Sequence, residues 1–166
     1  MSRLATVFIR LCTILIGYAF AILVASLFLH LQVWPSLGLE GDTPTFAAKS
    51  ALVVSVLLVA LFASYYAFVP AAVLIALAEL RPFTSWLYFA VAGGVTALSA
   101  LVLHEMLRVA DLAGARSQPL ALDAEALAGA LGAGMAAGIA YWLVAGRGAG
   151  TWRRRAEPTA PAPSGS

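Results

Sequence analysis

Residues 126–146 read ALAGALGAGMAAGIAYWLVAG. They carry no formal charge, and up to Ala140 the only large side chains are Leu127, Leu131, Met135 and Ile139, with Leu143 continuing the row. Residues four apart share a helix face and form an inclined ridge, so the stretch predicts a helix with one ridge of bulk that is thin elsewhere. Gly134-x-x-x-Gly138, preceded by Ala126 and Ala130, is the small-xxx-small spacing that lets membrane helices bring their backbones together. In water each glycine would weaken a helix by up to about 1 kcal/mol relative to alanine. In lipid the backbone must hydrogen-bond to itself, so the helix forms regardless.

Working outward, the whole chain has this character. Its 166 residues are 62% hydrophobic and 11% charged, with a mean hydropathy of +0.92, where a soluble domain carries roughly a quarter charged residues. The apolar residues come in long charge-free runs, not at amphipathic spacing, and a bilayer is the solvent they suit. The fold predicted is all-α, an integral membrane bundle of four transmembrane helices over about 11–31, 50–78, 83–103 and 126–146, within a domain of residues 1–152. Residues 153–166, a basic cluster and a Pro/Ala/Ser-rich tail, are expected to remain disordered on the cytoplasmic side. The single cysteine, Cys12, permits no internal disulfide and no cysteine-built metal site. Soluble, secreted and nucleic-acid-binding readings fit poorly.

The first run begins after Arg3 and Arg10. Ala19-Phe20-Ala21 has the form of a signal-peptide cleavage site, but the apolar run continues well beyond it, and Gly17, Ala21 and Ala25 form a small-residue rail suited to a helix that stays and packs. A loop at 32–42 follows, and Thr43-Pro44 reads as a helix start. The second run contains Pro70, which removes one backbone donor and predicts a tilt or bend. Glu79-Leu80-Arg81-Pro82 is so short that helices two and three must form an antiparallel hairpin, with Glu79 and Arg81 read as an interfacial pair. The third run carries Gly93-Gly94 near its centre and is expected to extend through HEMLRVADL (104–112). Asp123 is placed to cap the fourth helix.

Charge sets the expected orientation. Arg3, Arg10, Arg81, Arg147, Arg153, Arg154 and Arg155 fall on one side; Lys49, Arg108 and Arg116 fall on the other. Seven against three places both termini in the cytoplasm, with the seven arginines meeting lipid headgroups. Trp86, Tyr141, Trp142 and Trp152 are expected to form the inner aromatic belt, and Trp34 marks the outer one.

Candidate sites are few. His30 and His104, the only histidines, fall at the outer ends of helices one and three. A shared metal or bis-histidine haem site is the sharp reading of that pair; two interfacial histidines is the plainer one and is preferred, because two ligands do not specify a site. No cofactor is expected. No Asp, Glu, Lys or Arg lies near the centre of a span, which disfavours an ion-coupled carrier. The hydroxyls of Thr13, Ser26, Ser55, Ser64, Thr96 and Ser99, with Tyr18, Tyr65 and Tyr66, are read as helix-joining groups. No catalytic triad, phosphate loop or nucleotide motif is present, and no enzymatic activity is expected.

Gly138-Ile139-Ala140-Tyr141-Trp142-Leu143-Val144-Ala145-Gly146-Arg147, with Gly93-Gly94 and Ala78-Glu79-Leu80, resembles small uncharacterised four-span inner-membrane proteins of proteobacteria. That resemblance implies a fold and an inner-membrane location, and no activity. The role expected is that of an accessory or assembly component of a membrane complex. Gly17, Ala21, Gly93, Gly94, Gly134 and Gly138 are the packing residues, and a membrane-protein partner or second copy docks on the glycine-rich fourth helix. A small transporter or channel is the alternative, suggested by Pro70 and the central glycines.

Overall fold

A computed structural model describes residues 3–33, 46–81, 83–112 and 123–149. The outer loop with Trp34 and Thr43-Pro44, Pro82, Arg116, Trp152, Arg153, Arg154, Arg155 and the tail lie outside the described residues, as does the Arg3 side chain. Four helices make up the described chain: α1 (Arg3–Val33), α2 (Phe46–Leu80), α3 (Trp86–Leu112) and α4 (Ala124–Val144), closed by a 3-10 turn at Gly146–Gly148. All four are long and apolar enough to cross a membrane. They form an antiparallel ring in chain order, in which α1 meets α2 and α4, and α3 meets α2 and α4.

The helix ends follow local chemistry. The Asp123 carboxylate accepts from the Ala126 amide at 2.7 Å, capping α4 as expected. α1 runs unbroken past Ala21, and α2 continues through Pro70. α3 begins at Trp86 and not at Phe83. The residues between are held by Phe83 N–H donating to the Ala78 carbonyl at 3.2 Å and by the Trp142 indole donating to the Thr84 carbonyl at 2.8 Å.

The interior is built from small residues and the exterior from large ones. Ala21, Ala60, Ala67, Ala78, Ala90, Ala133, Ala140 and Ala145 are buried, with Phe89 and Tyr141 the large exceptions. The α4 ridge points outward: Leu131, Met135, Ile139 and Leu143 are all exposed on the isolated chain. In water this arrangement would sacrifice apolar burial. In a bilayer the outward ridge meets lipid at no cost, and close backbone contact becomes the main attraction between helices.

Glycine is required where α3 meets α4. A Cβ at Gly93 would lie 2.9 Å from Gly138 Cα, one at Gly134 would lie 2.6 Å from Ala97 Cβ, and one at Gly138 would lie 2.7 Å from the Phe89 carbonyl carbon. On the other flank, a Cβ at Gly17 would stand 2.9 Å from Ala145 Cβ and 3.3 Å from the Tyr141 ring. The small-residue stripe of α4 is therefore covered by α3 and α1 of the same chain. Two neighbours approaching from both sides leave the ridge, and not the stripe, facing outward.

Gly138→Ala should cost about 1–3 kcal/mol, because backbone and not a flexible side chain blocks the new methyl. Gly132→Ala meets only the Phe28 ring, at 3.1 Å, and should be near neutral or gain helix propensity. Equilibrium unfolding of both variants in mixed micelles checks the contrast; equal losses would contradict this account of α4.

Candidate functional site

α2 is attached to α1 by polar groups spaced down the seam. Near one end Arg10 donates to Glu79 through Nε at 3.0 Å and through its terminal nitrogen. Tyr18 donates to the Ser64 carbonyl at 2.9 Å and accepts from the Ser64 hydroxyl at 3.2 Å. The fully buried Ser26 donates to the Val56 carbonyl at 2.7 Å. His30 closes the series, with Nδ1 donating to the Ser26 carbonyl at 2.8 Å and Nε2 bonded to the Ser55 hydroxyl at 2.9 Å. Residues 10, 18, 26 and 30 of α1 each reach a residue of α2 or stand beside one that does.

The structure places three of the residues singled out in the sequence. The Arg10 side chain is 16% exposed and paired to Glu79, itself 15% exposed. Glu79 pairs with Arg10 and not with Arg81, which is exposed, because the antiparallel crossing brings α1 alongside. Tyr141 was placed in the interfacial belt, yet it is 5% exposed and packs on Phe89. Trp142, by contrast, sits beneath the Arg147 guanidinium, 4.7 Å from its ring centre.

The two histidines serve different clusters. Both ring nitrogens of His30 are bonded to Ser26 and Ser55. His104 lies edge-on to Tyr66 at 5.3 Å, with Nδ1 3.5 Å from Glu105, whose other oxygen binds Arg108. Among the described residues no group of three potential metal ligands converges.

The ring of helices frames a partly open apolar cavity of about 530 Å³ with walls from all four helices. The aromatic cluster of Tyr88, Phe89 and Tyr141 lies at one end, with ring centres 5.2 and 5.4 Å apart. Tyr66 and His104 lie toward the other. The thin face of α4 contributes Ala126, Ala130, Ala133, Gly134, Ala137 and Gly138 to the wall. Among the described residues no Asp, Glu, Lys or Arg lines it, so the space suits hydrocarbon better than an ion path.

The span hydroxyls divide into three groups. Ser26, Ser55, Ser64 and Tyr18 join helices as expected. Thr13 and Ser99 donate to carbonyls of their own helices, Ile9 and Val95. Tyr65, Tyr66 and Thr96 make no hydrogen bond to a described residue. Tyr66 and Thr96 face the cavity, while Tyr65 is 76% exposed on the outer surface of α2. The sequence named these hydroxyls but held no signal to sort them, since α2 is apolar all round.

No protein-family model, curated protein or solved structure matches the chain.

Removing one member of the Arg10–Glu79 pair should cost more than an exposed pair (about 0–1 kcal/mol) and less than a fully buried one (about 3–5 kcal/mol). Arg10→Met combined with Glu79→Met should recover most of the loss, because neither charge is then left alone. A double-mutant cycle on unfolding in micelles measures this; purely additive single losses would show that the pair is not coupled.

Proposed function

We propose that this protein is a non-enzymatic accessory or assembly subunit of a larger complex in a bacterial inner membrane, with both termini cytoplasmic. The observation that carries the reading is Tyr65. It lies ten residues from Ser55 and fourteen from Glu79 on α2, about 15 and 21 Å along the axis. That is deep inside a hydrocarbon core about 30 Å thick, whereas membrane tyrosines favour the interfaces. Its hydroxyl points away from the bundle with no described hydrogen-bond partner. Leaving a hydroxyl unpaired in an apolar medium costs about 4–8 kcal/mol on the cyclohexane scale.

The occupant that satisfies it is a transmembrane helix of another membrane protein, carrying a polar side chain or an exposed carbonyl at that depth. Leu58, Leu61, Phe68 and Val69 surround Tyr65 and are at least half exposed on the isolated chain. They offer that helix an apolar contact on the outward side of α2. The arginine asymmetry and the likeness to small proteobacterial inner-membrane proteins support the location.

Tyr65→Phe should weaken recovery of a stoichiometric partner from native membranes by roughly threefold to twentyfold, the range of interhelical hydrogen bonds worth about 0.6–1.7 kcal/mol. Affinity purification of the tagged full chain with quantitative mass spectrometry reads this. Recovery of the protein alone, or of a partner indifferent to Tyr65→Phe and Leu61→Ala, would sink the proposal; a crosslink between two Tyr65 positions would replace it with a homodimer. Orientation has its own test: a C-terminal green fluorescent protein fusion should fluoresce and a C-terminal alkaline phosphatase fusion should be inactive, and the opposite pair of results would invert the topology.

A further inference from the structure

The geometry points to a lipid site in the bundle interior, one that holds a hydrocarbon tail and keeps its small hydrogen-bonding head at Tyr66 and His104. The cavity runs along α3 from the level of Phe89 to that of His104, fifteen residues or about 22 Å. Its volume is about 530 Å³, and among the described residues its walls carry no Asp, Glu, Lys or Arg. A long apolar space of this kind suits an extended hydrocarbon tail.

The chemistry of the ends gives that tail a direction. At the aromatic end the rings of Tyr88, Phe89 and Tyr141 pack together, Tyr88 has its hydroxyl committed to the Leu74 carbonyl at 2.8 Å, and Tyr141 is buried. At the other end the Tyr66 hydroxyl makes no hydrogen bond to a described residue, and His104 is half exposed. Both line the cavity. A carboxyl or hydroxyl head can bond to both while its tail fills the interior. Water is a poor occupant, because each molecule needs two to four polar partners and the walls are almost wholly apolar. This site is independent of the outward face of α2.

Palmitate carrying a photoreactive diazirine on its tail tests the assignment on the purified full-length protein. Irradiation and peptide mapping should place adducts on inward residues of α3 and α4, around Thr96 and Ala133, and unlabelled palmitate should compete. Ala130→Leu and Ala63→Leu, from opposite walls, should each lower adduct yield about tenfold, while keeping or raising the melting temperature because they fill space. His104→Ala should weaken binding about threefold to tenfold without moving the adducts. Lipid extracted from native preparations identifies the natural source: a fatty acid or a fatty alcohol sustains the proposal, and a lipid with a phosphate headgroup overturns it. Adducts spread over outward residues such as Leu58 and Met135, or wild-type yields in both cavity-filling variants, would also overturn it.

Discussion

The structure depends on one contact, the approach of α3 and α4 at Gly93, Gly134 and Gly138. Lipid tails are as apolar as leucine, so burying leucine between two membrane helices gains little. Bringing backbones together gains dispersion over many atoms, and only residues without a Cβ permit it here, since a methyl at any of the three would enter the neighbouring helix. α4 uses the same strategy against α1 at Gly17 and Ala145. One thin helix thus holds two neighbours, and its large side chains are left to face outward.

α2 is held by a different physics. It faces α4 across the cavity and touches its two neighbours more sparsely than they touch α4. What fixes its register is the set of polar bonds to α1, from Arg10–Glu79 at one end to His30–Ser55 at the other. In hydrocarbon an unmatched hydroxyl or carbonyl has no solvent to fall back on. A slip of α2 by one residue would leave Ser26, Ser64 and Glu79 without partners. These bonds are modest singly, about 0.6 kcal/mol on average in membrane bundles, but their spacing allows only one register.

Much of this was legible in the sequence, for definite reasons. Charge-free runs of helix-spanning length can mean little else, so the four spans, the α2–α3 hairpin and the Asp123 cap were readable. The Gly134–Gly138 spacing announced a close approach. It could not say to what, because intrachain and interchain contacts demand the same residues. Glu79 looked paired with Arg81 because they are near in sequence; its partner Arg10 is 69 residues away, and only the tertiary crossing reveals it. His30 and His104 share a depth in the sequence, which admits one site but does not favour it, because depth along the bilayer normal carries no angle. The cavity left no mark of its own: alanines that line a void and alanines that admit a neighbouring helix read alike.

The cavity is also what the packing strategy implies. Small residues on the inner face of α4 let α1 and α3 come close, but they cannot reach across to α2, which stands off on the far side of the ring. The space between is about 530 Å³ and partly open to the surroundings of the bundle. Water could fill it only where polar groups hold it, and the few tyrosine, threonine and histidine groups of the lining do not hold a column along the length of the wall. Shrinking the void would require bulk on α4, which would drive α1 and α3 away. The bilayer supplies the remaining option, a hydrocarbon chain already at hand and free of any desolvation cost. A bundle that packs by glycine on one side and by hydrogen bonds on the other is thereby a container for a lipid tail.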